Sequence, residues 1–360
     1  MQHTDRSGPP RREIERGRDT SMDDHTSRRS AIAKLGIGLL ISVGLVIAAT
    51  SAPRAAGDPA TPDLTDLSLQ ELLSIDLVYG ASKYQQKVTE APASVTIVTA
   101  ADIRNFGYST LSDILASVPG FYSRYDRNYS YVGVRGFQRP NDYNLRTLLL
   151  IDGHRANDNI YNSALIGTEG VLDVDDIDRV EVIRGPSSSI YGAGAFFAVI
   201  NVITRGGREL DGVEVSGSGG SWSTGAARIA WGDRAESGRE LYVSGSAYRS
   251  GGQNFYFPEF DDPMNPLSAN RGRAADVDDD STDRFFGKAA FGHFTLTAAH
   301  SSRAKVIPTA SYDTLFNDPW NRTIDQRSFL DLKYEGSLGA KTTVLGRVYG
   351  DRYYYRGDYN

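Results

Sequence analysis

The chain has 360 residues and a formal net charge of −6, so it is long enough for two or three domains and lacks the basic excess of a nucleic-acid binder. It has no cysteine, which excludes a disulfide framework and any thiolate metal site. With 37 Gly and 20 Tyr against 3 Trp, the composition suits many strands and turns with wet aromatic surfaces.

Residues 1–27 are polar without apolar periodicity and read as disordered. Basic Arg28, Arg29 and Lys34 precede an uncharged apolar run at 35–49 and a small-residue stretch at 50–56, the order of a cleaved secretory signal. That run is shorter than the roughly twenty residues a spanning helix needs. Met22 would start a signal of more usual length. Residues 57–87 read as a linker. Within it Ser68 and Glu71 form a capping box before a short apolar stripe. The extended run Asp76, Leu77, Val78, Tyr79, Gly80, Ala81 follows directly.

From residue 88 the pattern tightens into a small mixed α+β domain ending at 205. A strand at 94–99 leads into the capping box Thr99 to Asp102, which opens a short helix that Gly107 stops. A second box, Thr110 to Asp113, opens a helix with the apolar face Leu111, Ile114, Leu115 and Val118, ended by Pro119 and Gly120. Strand-to-turn units follow at 132–137 and 148–153. Two β-rich runs, 180–183 and 198–204, then flank a turn-rich centre containing Arg184-Gly185-Pro186 and Tyr191-Gly192-Ala193.

In order and spacing these units resemble the plug domain of TonB-dependent outer-membrane receptors. The resemblance implies that residues 76–81 act as a TonB box, pairing as an added strand with a TonB-type energy-transducing protein. It implies that Arg135 and Arg184 latch the plug to carboxylates of the inner barrel wall, as bidentate guanidinium groups can. It also points the loops carrying Arg124, Tyr125, Tyr129, Asn159 and Tyr161 outward as ligand contacts.

No catalytic chemistry emerges. The glycines at 185–194 lack the Lys-Ser/Thr of a phosphate loop, and the His residues at 3, 25, 154, 293 and 300 form no pair at ligand spacing. Asp173, Asp175, Asp176 and Asp178 lack the glycine and closing glutamate of a calcium loop and read as a solvated acidic turn. No nucleophile, base and orienter form a set, so neither an enzyme nor a cofactor or metal is expected.

After 206 the chain reads as antiparallel strands with one apolar and one polar face, at 213–218, 226–231, 241–249, 285–291, 294–301, 328–335 and 342–349. Leu330, Leu332 and Tyr334 oppose Asp331, Lys333 and Glu335. From the third strand on, links alternate long and short, as between the outer and periplasmic ends of a barrel. The acid-rich residues 276–283 fall in an external loop and read as solvated. Bacterial barrels close with an even number of strands, and an open edge in lipid costs several kcal/mol per unpaired group. The expected fold is therefore an α+β plug domain followed by an incomplete antiparallel transmembrane β-barrel, from a fragment or a truncated product.

The resemblance implies an outer-membrane receptor for energy-dependent uptake of a scarce bulky solute. A ferric siderophore comes first, with cobalamin, haem or an oligosaccharide behind. The partners it implies are the TonB-type protein, outer-membrane lipid and a small-molecule or metal-chelate ligand, with no nucleic acid. The alternative is a truncated plug-containing module that binds in the periplasm without transport.

Overall fold

The computed structural model describes residues 77–78, 86–87, 94–139, 142–185, 187, 191–192, 194–338 and 342–360. The signal-like residues 1–56, the Ser68 to Glu71 box, and Asp76, Tyr79, Gly80 and Ala81 lie outside them. Strands β1 (Leu77–Val78) and β2 (Gln86–Lys87) pair antiparallel.

The plug centres on a five-stranded sheet in the order β3 (Ser94–Thr99), β8 (Ile177–Arg184), β9 (Ala198–Thr204), β6 (Thr147–Ile151), β7 (His154–Arg155). Only β6 and β9 run parallel. Strand β6 is buried along its whole length, as a strand covered on both faces must be. Its residues Leu149 and Ile151 join the main core with Val180, Val182, Ile200 and Val202, while Leu148 and Leu150 face the other way with Ile183 and Val199.

Helices α1 (Ala100–Phe106) and α2 (Leu111–Ala116) form where the capping boxes predict. Asp102 accepts from the Thr99 amide at 2.9 Å, Asp113 accepts from the Thr110 amide at 2.9 Å, and Gly107 ends α1 at φ 65°. Ile103, Ile114 and Leu115 carry them onto the main core. A separate hairpin pairs β4 (Phe121–Tyr125) with β5 (Ser130–Val134).

A short helix α3 (Gly207–Leu210) leads into a seven-stranded antiparallel wall. Its strands in spatial order are β10 (Gly212–Gly220), β11 (Thr224–Arg234), β12 (Glu240–Ser250), β15 (Asp280–Phe291), β16 (Phe294–Val306), β17 (Arg322–Leu338) and β18 (Thr342–Asp358). A small hairpin of β13 (Phe255–Tyr256) and β14 (Arg273–Ala274) sits in the first long loop. Each expected wall strand is present and most are longer than the apolar alternation suggested. The polar continuations, such as 322–327 in β17, carry charges that pair with neighbouring wall strands as well as with the plug.

Along β17, Thr323, Asp325, Arg327, Phe329 and Asp331 are buried while Leu330 and Leu332 are exposed on the opposite face. Val213, Val215, Ile229, Leu241, Phe285 and Val348 extend that outward apolar face across the wall. This is the lipid-out alternation of an outer-membrane barrel. Phe291, Phe294 and Tyr334 cluster beside the tight turn at 292–293, where an interfacial aromatic belt belongs. On the inner side, Ala230, Tyr242, Phe286, Ala299 and Phe329 merge with the plug core. Among the described residues, β10 and β18 each pair on one side only, so the wall is open.

Candidate ligand-binding site

The plug is held to the wall by a charged seam in which most of the cations stand on the wall. Arg228 of β11 lies 2.8 Å from Asp176, which also accepts from the Tyr242 hydroxyl at 2.8 Å. Lys288 lies 3.1 Å from Asp152, and Arg284 donates to the carbonyls of Thr168 and Gly170 at 2.7 and 2.9 Å. Arg303 is buried, pairs with Asp280 at 3.1 Å and donates to the Asn128 carbonyl at 2.6 Å. Plug His154 inserts between two wall carboxylates, Asp331 at 3.3 Å and Asp351 at 3.1 Å.

The plug arginines singled out from sequence have other contacts. Arg184 donates to the Pro119 carbonyl and the Ser94 hydroxyl, both plug groups, at 2.7 and 2.6 Å. Arg135 is exposed on a turn at φ 52°. Among the described residues neither has a wall carboxylate as partner.

Two acidic stretches expected to be solvated are partly buried. Asp176 is 2% exposed in the seam, and burial raises its carboxyl above the ordinary range while Arg228 opposes the rise. Asp278 takes Lys305 at 2.6 Å and Arg127 at 2.7 Å, and Asp280 takes Arg303. The compensating cations lie on wall strands or on the plug, distant in the chain, so the local run of aspartates reads as solvent-bound.

The plug loops and the long wall loops meet at one end. Arg127 pairs with Asp278, and its guanidinium also stacks 4.1 Å from the Phe255 ring. The Tyr129 hydroxyl donates to Asp325 at 3.1 Å, and the Tyr143 and Tyr312 hydroxyls are 3.1 Å apart. In a barrel, long loops face the exterior, which makes this the outward end.

A cavity of about 370 Å³ opens there. The plug lines it with Tyr129, Tyr131, Tyr143 and Tyr161, and the wall and its loops with Tyr312, Tyr353, Tyr355 and Tyr359. Most of the hydroxyls are already engaged. Tyr129 and Tyr353 both donate to Asp325, Tyr131 donates to Asp126 at 2.7 Å, and Tyr355 bonds Tyr359. Ring faces and edges therefore make the surface. Asp158 at its margin is capped by the amides of Ile160, Tyr161 and Ser163. Glu169 accepts from the Gly167 amide at 3.0 Å and is 3% exposed, so burial pushes its carboxyl above the ordinary range.

The sequence candidates divide. Tyr129 and Tyr161 line this cavity. Arg124 and Tyr125 line a second, polar cleft of about 760 Å³ between α2 and strands β10 to β12. Asn159 is exposed on the turn beside Tyr161 and lines neither. Sequence reasoning missed Tyr143, Tyr312 and the β18 tyrosines, although the run Tyr353 to Tyr355 is visible in the chain.

Residues 87–199 match the TonB-dependent receptor plug domain. The chain carries a TonB-dependent receptor plug domain. An iron-regulated outer membrane virulence protein of Vibrio cholerae is 34% identical over 173 residues, 47% of this chain and 24% of the relative. The vitamin B12 transporter BtuB of Vibrio vulnificus is 35% identical over 160 residues, 43% of this chain and 25% of the relative. The chain thus spans about a quarter of the length of these relatives. In fold it is similar to the ferric-catecholate import receptor Fiu of E. coli K12, with TM-score 0.55, 17% identity, and coverage of 77% of this chain and 41% of Fiu. It is also similar to P. aeruginosa FpvA bound to a pyoverdine-iron complex, with TM-score 0.52, 18% identity, and coverage of 76% and 35%.

Proposed function

We propose that this receptor chain captures a bulky solute at the outer-membrane surface, in the tyrosine-walled cavity, for energy-dependent import. One observation carries the reading: plug loops and wall contribute tyrosines to a single cavity at the long-loop end. A ligand held there would touch plug and wall together, as coupling of capture to plug movement requires. The iron-regulated and vitamin B12 relatives favour a metal chelate or corrinoid as cargo. The outward apolar face supports a membrane wall over a soluble periplasmic module.

Residues 76–81 are proposed as the TonB contact. The ability of Leu77–Val78 to pair as a strand supports the idea that this segment can join a partner's sheet. Arg135 and Arg184 remain proposed latch residues. Cleavage of a signal within 1–56 belongs to the same proposal.

The test is uptake of radiolabelled iron chelates and cobalamin by cells carrying the receptor, with and without a proton-motive force. Loss of energised uptake in Tyr129→Ala and Tyr355→Ala, at unchanged receptor level, is expected. Uptake indifferent to both substitutions would refute the cavity as the capture site.

A further inference from the structure

We infer that the tyrosine cavity selects ligands without net negative charge, a neutral or cationic chelate with a flat apolar face. The inference rests on the cavity being the capture site and adds the chemistry of what it captures. Among the described residues the lining contains no Lys, Arg or His, and its ionisable carboxyl groups are those of Asp158 and Glu169. Of the buried cations behind the lining, Arg327, which donates to the Asn157 carbonyl next to Asp158, pairs with Asp351, and Arg303, behind Tyr129, is matched by Asp280 and Asp325. Neither has an uncompensated charge to offer an anion.

Hydroxyl donors are committed in part. Tyr129 and Tyr353 donate to Asp325, Tyr143 bonds Tyr312, and Tyr355 bonds Tyr359. An anionic chelate entering would shed water and find no cation in the lining, only the one hydroxyl hydrogen that each tyrosine pair leaves free, which is costly. The electron-rich ring faces, by contrast, favour apolar surfaces and cations.

The experiment is tyrosine-fluorescence titration of the full chain in detergent micelles. Its probes are a neutral ferric tris-hydroxamate, a cationic linear ferric tris-hydroxamate and a trianionic ferric tris-catecholate of similar size. The expected result is at least about tenfold weaker binding of the trianion. Tyr161→Arg, at an exposed rim position, should narrow that gap by tightening the trianion alone. Equal or tighter binding of the trianion, still weakened by Tyr143→Ala, overturns the charge assignment and leaves the cavity as the site. Binding of every probe unaffected by Tyr143→Ala and Tyr355→Ala overturns the site, and the inference with it.

Discussion

Arg228 on the second wall strand and Asp176 on the plug meet at 2.8 Å with their side chains 3% and 2% exposed. The guanidinium also donates to Glu214 at 2.6 Å and to the Tyr242 hydroxyl at 2.6 Å. Truncating one member strands the other as a buried, uncompensated charge. Arg228→Ala should therefore cost about 3–5 kcal/mol. The double variant Arg228→Met with Asp176→Leu should recover most of that loss, since no lone charge remains. Thermal unfolding in micelles measures both, and a double variant as unstable as the single would rule out the ion-pair account.

Much of this architecture is legible in the chain. Thr99 with Asp102 and Thr110 with Asp113 mark both plug helices because a capping box is local chemistry, complete within four residues. The wall strands declare themselves through period-two alternation, as at Leu330 to Glu335. The long-range pairings are not legible. Asp176 with Arg228, His154 with Asp331 and Asp351, and Asp278 with Lys305 join residues that no local pattern connects. The cavity was half visible for the same reason. Tyr129 and Tyr161 sit on recognisable plug loops, whereas Tyr312 and Tyr355 arrive only when β17 and β18 fold back over them.

The cap on α1 gives a second test. Asp102 accepts from both the Thr99 amide and hydroxyl, and these bonds hold its carboxyl below the ordinary range. Thr99→Ala should lower stability by about 1 kcal/mol near neutral pH. A depressed carboxyl stabilises the fold above its unfolded value and loses that contribution as pH falls through the folded one. The difference between wild type and Thr99→Ala should accordingly shrink on acidification below about pH 4. Denaturant titrations at neutral and acid pH check this, and a constant difference would argue against the cap.

Gly207 shows where the plug is tied to the start of the wall. It is buried, and a Cβ there would collide with the backbone oxygens of Asp233 and Leu241 on β11 and β12. Backbone cannot move aside as a flexible side chain can. Gly207→Ala should cost about 1–3 kcal/mol, whereas alanine at Gly217, whose nearest neighbour is at 3.8 Å, should be nearly silent. Comparing the two melting temperatures separates local crowding from a general loss of glycine flexibility.

Glu169 offers the pH test of the cavity floor. Its carboxyl is raised chiefly by burial, with Arg303 pulling the other way, and among the described residues one of its oxygens has no hydrogen-bond partner. A carboxyl whose folded pKa exceeds the unfolded one penalises folding once the unfolded chain ionises. Stability from this residue is therefore greatest in acid and declines as pH rises from about 4.5 through the folded value. Glu169→Gln keeps an acceptor for the Gly167 amide and removes the ionisation. It should melt above wild type at pH 7.5 and close to it at pH 4.5. A Glu169→Gln variant less stable than wild type at neutral pH would mean that the ionised carboxylate is paired with Arg303, and would return a negative charge to the cavity floor.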